Sequence, residues 1–247
     1  MSRHRSLHTK MEITFKGLGI TGTAEHFGAV GDKSLTTTSI PNLASTREGS
    51  DGTRFWTEDP INGLRLLEGA EADQARIEVA WNGELRMKDL FTKIEAKNEP
   101  GDDGKLLECL ILTPKSGPAM TQCFDAKTHL MAIQRGVRSG PQGDMPFTAR
   151  LSDWRQVGDI KVAYATEMQV GPLAFTGRAI SVELDVPVDA ALFAVPAAAK
   201  AADGAASGKG KTRPTKTPRA AKKTDAAAPS QTPSPSPSAG APPAAKR

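Results

Sequence analysis

Leu43-Ala-Ser-Thr-Arg-Glu-Gly-Ser-Asp51-Gly-Thr-Arg-Phe-Trp56-Thr-Glu-Asp-Pro60 and its continuation Ile61-Asn-Gly-Leu-Arg-Leu-Leu67-Glu-Gly-Ala-Glu-Ala-Asp-Gln74-Ala-Arg-Ile77-Glu-Val-Ala-Trp81-Asn-Gly83 decide the fold of this chain. Asp51-Gly52 is a tight-turn pair, because Gly tolerates positive φ and Asp bonds its own backbone. The flanks Leu43–Gly49 and Thr53–Thr57 are strand-compatible, so the stretch opens with a hairpin. Asp59-Pro60 and Asn62-Gly63 are expected to break the sheet, since Pro donates nothing to a ladder. The period then changes. Leu67, Ala70, Gln74, Ile77 and Trp81 recur at three- and four-residue steps, which predicts one amphipathic helix ending at Asn82-Gly83. Such a helix needs an apolar surface to lie on.

Outward from this stretch the chain reads as strands. Met11, Ile13 and Phe15 alternate with Glu12, Thr14 and Lys16, and the residues before them, 1–10, read as an unstructured start. Gly17-Leu-Gly-Ile-Thr-Gly22 matches G-x-G-x-x-G in form. No helical stripe follows it, as a dinucleotide site requires, so it reads as a bend between strands. Beyond Gly83, runs at Lys93–Lys97, Leu106–Thr113, Met120–Phe124, Leu130–Val137, Phe147–Trp154, Ile160–Thr166 and Phe175–Val186 are separated by Pro/Gly/Asp turns. About ten short strands at intervals of about eight to twelve residues indicate an antiparallel sheet curling on itself. The predicted class is mainly β: an incomplete barrel with a helical lid over residues 11–196.

From Ala197 the composition shifts to Ala, Pro, Ser, Lys and Thr, with no aromatic or large aliphatic residue after Val195. Residues 197–247 therefore read as a disordered tail, unable to offset its ordering entropy by burial. This tail holds ten Lys/Arg and two Asp/Glu, leaving 22 basic and 26 acidic residues in the body. Its charge suits an anionic partner or membrane surface, and it equally suits a solubilising extension. It has no aromatic to stack on bases, so specific nucleic-acid binding is not expected. No apolar run is long enough to span a membrane as a helix, and no secretory signal is recognisable at the start.

Catalytic patterns are sparse. His4, His8, His26 and His129 are scattered, and no H-E-x-x-H, G-x-S-x-G or paired C-x-x-C occurs. No cofactor or metal is implied and no enzyme is expected. An esterase-like activity would need a Ser–His pair assembled by folding. Cys109 and Cys123 fall opposite one another if their strands form a hairpin centred on Ser116, as a disulfide or as two buried thiols.

An ordered series of motifs then carries a resemblance. Met11-Glu-Ile, Gly19-Ile-Thr-Gly-Thr, Asp32-Lys-Ser-Leu-Thr, Ile40-Pro, Asp51-Gly-Thr with Trp56, Asp59-Pro-Ile-Asn-Gly-Leu-Arg, Glu68-Gly-Ala-Glu, Phe124-Asp and Leu192-Phe-Ala-Val-Pro resemble the LolA-like, outer-membrane lipoprotein-sorting type of bacterial domain. The resemblance implies an antiparallel half-barrel whose helices close over an apolar cavity for acyl chains. It also implies a periplasmic or cell-envelope location. Members of that family start with a signal peptide and a helix ahead of the first strand, and neither pattern is recognisable in residues 1–10. The implied function is non-enzymatic carriage or sensing of a lipid or lipidated protein by a monomer, with the helix swinging aside to admit acyl chains. Phe15, Phe55, Trp56, Leu67, Ile77 and Trp81 are the expected cavity lining, although ordinary core packing would use the same residues. The competing expectation is an interaction module: a filled scaffold whose basic tail engages an acidic partner.

Overall fold

A computed structural model describes residues 3–42 and 45–199. Its strands in chain order are β1 (Ser6–Phe15), β2 (Ile20–Ala29), β3 (Lys33–Ser39), β4 (Thr46–Asp51), β5 (Phe55–Asp59) and β6 (Gly63–Leu66). Helix α1 (Gly69–Glu78), a 3-10 turn at Gly83–Leu85 and the short α2 (Met87–Leu90) follow. The second group is β7 (Phe91–Pro100), β8 (Leu106–Pro114), β9 (Met120–Asp125), β10 (Met131–Arg138), β11 (Met145–Val157), β12 (Ile160–Val170) and β13 (Leu173–Leu184). All thirteen strands form one antiparallel sheet in the order β6-β5-β4-β3-β2-β1-β13-β12-β11-β10-β9-β8-β7. The chain thus meanders out to one edge at β6, crosses by its helices to the other edge at β7, and meanders back until β13 pairs with β1.

The sheet curls without closing. β5 and β11 stand seven places apart in it, which would separate them by roughly 33 Å in a flat sheet. Yet Gln142, just before β11, donates from Nε2 to Oδ1 of Asn62, just after β5, at 3.2 Å. One end of the sheet is therefore rolled up, and α1 lies inside the roll.

Several sequence expectations are corrected in detail. β1 begins at Ser6, so residues 6–10 belong to the sheet rather than to an unstructured start. Their inward and outward positions do not sort by polarity: Ser6 and His8 are both buried, with His8 stacked on Phe27 at 4.1 Å between ring centroids. That hides the strand from a hydrophobic pattern. The turn at Pro60–Asn62 does not end the sheet, because β6 follows and pairs with β5 from Asp59↔Gly63 to Trp56↔Leu66. Asp59 makes the turn by accepting from the amides of Ile61 and Asn62, both at 2.8 Å. Residues 197–199 already form a helical turn, and Ala199 is buried. The remainder of the tail expected to be disordered lies outside the described residues. The hairpin at Asp51-Gly52 and the bend at Gly17–Gly19 form as read from the sequence, with the first two residues of the hairpin's leading flank, 43–44, outside the described residues.

The apolar side of the sheet changes from one half to the other. Across β2 to β6 the face away from α1 is the apolar one: Ala29, Leu35 and Trp56 form a buried cluster there, and Phe193, Val195 and Ala199 cover it. The covering segment is started by Asp189, whose Oδ1 accepts from the Ala191 amide at 2.9 Å. On β8 and β9 the α1-facing side is apolar as well, with Leu112 and Met120 packed against Leu90 and Phe91. On the opposite side of those two strands Cys109 stands directly across from Cys123, and a disulfide joins them.

Candidate functional site

The α1-facing side of the sheet has two parts. The first is a cavity of about 340 Å³ between α1 and strands β3–β6, closed on its far side by the β10–β11 connection. Strand alternation points Thr36, Glu48, Thr57 and Arg65 into it, one from each of four neighbouring strands, since Thr36↔Glu48, Glu48↔Thr57 and Thr57↔Arg65 are register pairs. From α1 come Glu71, Gln74 and Glu78, and from β10 comes Arg138. The cavity beneath the helix, expected to be apolar, is therefore mixed: these charged and polar groups share its lining with Phe55, Leu67, Val79 and Met145. The cause is visible in the register: of the apolar residues of β3–β6, Leu35, Trp56, Leu64 and Leu66 fall on the other face of the sheet, and Phe55 alone among them turns toward α1.

Most of these charges are paired. Arg65 grips Glu71 bidentately at 2.6 and 2.8 Å, and this hydrogen bonding raises the Arg65 pKa. Arg138 meets Glu78 at 2.7 Å. Glu48 has its side chain in the open space of the cavity, where solvent reaches it, but protein walls surround it. That desolvation raises its pKa, against the opposing pull of Arg138. Burial pushes the His26 pKa down to about 4, with His8 adding to the effect, and His26 Nδ1 lies 2.9 Å from the Thr36 hydroxyl.

The second part continues from the first along β2 and β11. Two residues beyond His26 on the same face is Ala24, and two beyond Met145 is Phe147. Register pairs then run across the sheet as Ala24↔Met11, Gly22↔Ile13, Ile13↔Gly177, Phe15↔Phe175, Phe175↔Met168 and Met168↔Ala149. Met11, Phe15, Phe147, Met168 and Phe175 are only half-buried. The outer face of the same strands carries Glu12, Lys16, Arg150, Glu167 and Arg178. Around these pairs the inner positions are mainly apolar and the outer ones mainly polar, which leaves an apolar strip turned to the inside of the curl.

The six residues expected to line a cavity are distributed over this frame. Phe55 and Leu67 border the cavity beneath α1. Phe15 ends the apolar strip, 5.6 Å from Phe175 between ring centroids. Trp81 packs near Gly28 of β2, so that a Cβ added at Gly28 would lie 3.5 Å from its ring. Ile77 packs into the Leu90–Leu112 cluster instead. Trp56 touches the cavity edge, but its indole lies across Gly49 in the cluster under Phe193, and it is 1% exposed. Gly49 admits no side chain there, because an added Cβ would sit 2.6 Å from the indole.

Polar ties seat α1 at several points besides Arg65–Glu71 and Arg138–Glu78. Asp32, at φ 58 in the β2–β3 turn, accepts from the Trp81 amide at 2.9 Å and from Arg86 at 2.6 Å. Ser116 donates to Asp73. These residues were not legible as a site, since each is an ordinary surface polar residue until the sheet curls. Among the described residues Glu99, Cys109 and Cys123 are the one group of metal-ligand types, and its two sulfurs are bonded to each other. The histidines are engaged separately: His4 with Asp159 and Asp185, His8 with Glu25, His26 with Thr36 and His129 with Glu108.

No family model matches the sequence, and no curated protein matches it. Solved structures do. A DUF1329 family protein from Desulfovibrio piger superposes with a TM-score of 0.51 at 13% identity, covering 77% of this chain and 90% of its own. A LolA superfamily protein from Nitrosomonas europaea superposes with a TM-score of 0.50 at 10% identity, with the same coverage of 77% and 90%. The fold is LolA-like. At these identities the likeness concerns the backbone alone. The LolA-like sheet of this chain presents its own side chains on the inside of the curl.

Proposed function

We propose that this protein binds and carries, or senses, a lipid-like ligand without catalysing a reaction on it. The single observation that supports this reading is the strip of half-buried Met11, Phe15, Phe147, Met168 and Phe175 on the inner face, backed by an outer face that carries Glu12, Lys16, Arg150, Glu167 and Arg178. Half-buried apolar side chains side by side on several strands still hold surface that a ligand can remove from water, at roughly 25 cal/mol per Å². Acyl chains of a lipid or a lipidated protein match the strip. The polar head would lie in the adjoining cavity beside Glu48, Arg65 and Arg138, the arrangement expected of an apolar pocket with a few convergent polar groups. The helix need not swing away in this reading, because the strip continues along β1, β13 and β12 beyond the cavity that α1 covers. A cell-envelope location follows from the family resemblance and belongs to the same proposal.

Titration with an environment-sensitive fluorescent fatty acid tests it. Phe175→Asp should weaken binding at least about tenfold, while Arg178→Asp, on the outer face of the same strand, should leave it within about twofold. Equal binding by both variants would refute the placement of the site.

A further inference from the structure

The sheet has two edges, and they differ. β6 is four residues long. β7 is ten residues long, and β8 is its only hydrogen-bonded neighbour among the described residues. Natural edges are guarded by short length, charged side chains, proline or bulges. Between Lys93 and Glu99 this edge has neither proline nor bulge: its one irregularity falls between Phe91 and Lys93, and its proline is the terminal Pro100. It does carry charged side chains, but they alternate in sign, so they repel a foreign strand without repelling a suitably registered copy of this one. Lys93, Glu95, Lys97 and Glu99 share one face, and they pair only along their own strand, Lys93–Glu95 at 2.9 Å and Lys97–Glu99 at 2.8 Å, apart from the Glu99–Arg135 contact.

We infer that β7 is an interface for a second copy of this chain, pairing antiparallel with its own symmetry mate about Ala96. In that register Lys93 faces Glu99 of the other copy and Glu95 faces Lys97, each pair occurring twice. Registers two residues away preserve the backbone ladder and the facing of side chains. One of them sets Glu95 against Glu95 and Lys93 against Lys97. The other sets Lys97 against Lys97 and Glu95 against Glu99. Like charges directly opposite are unfavourable, so the charge pattern selects the first register. The other face adds Ala96 against Ala96 and brings Ile94, 41% exposed, over Asn98 of the mate. Antiparallel pairing keeps both inner faces on the same side, so the two troughs would open together. The sequence expectation of a monomer is replaced by a symmetric dimer of the kind that closes on itself.

Sedimentation of the full chain tests this with two single substitutions. Glu95→Lys sets lysine against lysine twice, and Lys97→Glu sets glutamate against glutamate twice. Each should raise the dimer dissociation constant at least about tenfold, with circular dichroism confirming an unchanged fold. Mixed in equal amounts the two variants should form a heterodimer. The first then carries lysine at both positions 95 and 97, the second carries glutamate at both, and every facing pair is of opposite charge. Salt should weaken the unmodified dimer. An unmodified chain that stays monomeric, a dimer indifferent to both substitutions, or a mixture that fails to associate would each overturn the inference.

Discussion

Gln74 on α1 donates to the carbonyl of Val137 at the end of β10 at 2.7 Å and accepts from the amide of Ser139 at 3.0 Å. It is the one residue of α1 buried by the fold. A glutamine in the middle of an apolar stripe thus closes two backbone groups that the curl would otherwise leave facing an apolar side chain.

Gln74→Ala should therefore destabilise the fold by about 1–3 kcal/mol, the cost of orphaning buried backbone groups. Chemical denaturation checks the loss, and hydrogen exchange should show faster opening of α1 amides. A change below about 0.5 kcal/mol would mean that the latch is replaced by water.

The disulfide closes a short loop, with Cys109 and Cys123 separated by 14 residues. Replacing both with Ala should cost about 3 kcal/mol through the entropy returned to the unfolded chain. Reductant should lower the stability of the unmodified protein and leave the double variant unmoved.

His26 makes stability depend on pH with a definite sign. Its folded pKa is pushed down to about 4 from the ordinary histidine value of 6.5. Between those values the unfolded chain binds a proton that the folded chain refuses, so stability falls as pH falls through this window. The loss attributable to His26 is at most about 3 kcal/mol. His4, held by Asp185 and Asp159, has a raised pKa. It works in the opposite sense: its contribution is present below its unfolded pKa and fades as pH rises through the folded one. Denaturation of His26→Gln as a function of pH should show a flatter profile between about pH 4 and 6.5. An unchanged slope would exclude His26 as its source.

The segment that wraps the outer face should matter as much as any strand. Phe193 is 2% exposed and covers the Trp56 cluster. Phe193→Ala should cost about 3–5 kcal/mol, as measured by thermal or chemical unfolding.

Much of this was legible in the sequence. Asp51-Gly52 gives the β4–β5 hairpin, and a turn centred on Ser116 places Cys109 against Cys123. The spacing of Ala70, Gln74 and Ile77 gives α1, but the helix spans only Gly69–Glu78, so Leu67 and Trp81 lie outside it and it stops short of Asn82-Gly83. What could not be read was which side of each strand faces inward. A period of two sorts residues into two faces but does not say which one the curl encloses. For β1 and β13 the apolar set of Ile13 and Phe175 turns inward. For β4 and β5 the set of Gly49 and Trp56 turns outward and is covered by Phe193 and Val195, far along the chain. The charged part of the lining beneath α1 follows from that reversal, and so does the burial of the Trp56 indole in the outer cluster, where only its edge meets the cavity.

The central claim is that the inner strip holds an acyl chain. Native mass spectrometry of the full chain, purified without detergent from cells that make it, tests that most directly. The account predicts a population heavier than the polypeptide by the mass of one lipid, diminished in Phe175→Asp and preserved in Arg178→Asp. A single bare mass in every preparation, unchanged after incubation with lipid vesicles, would contradict it.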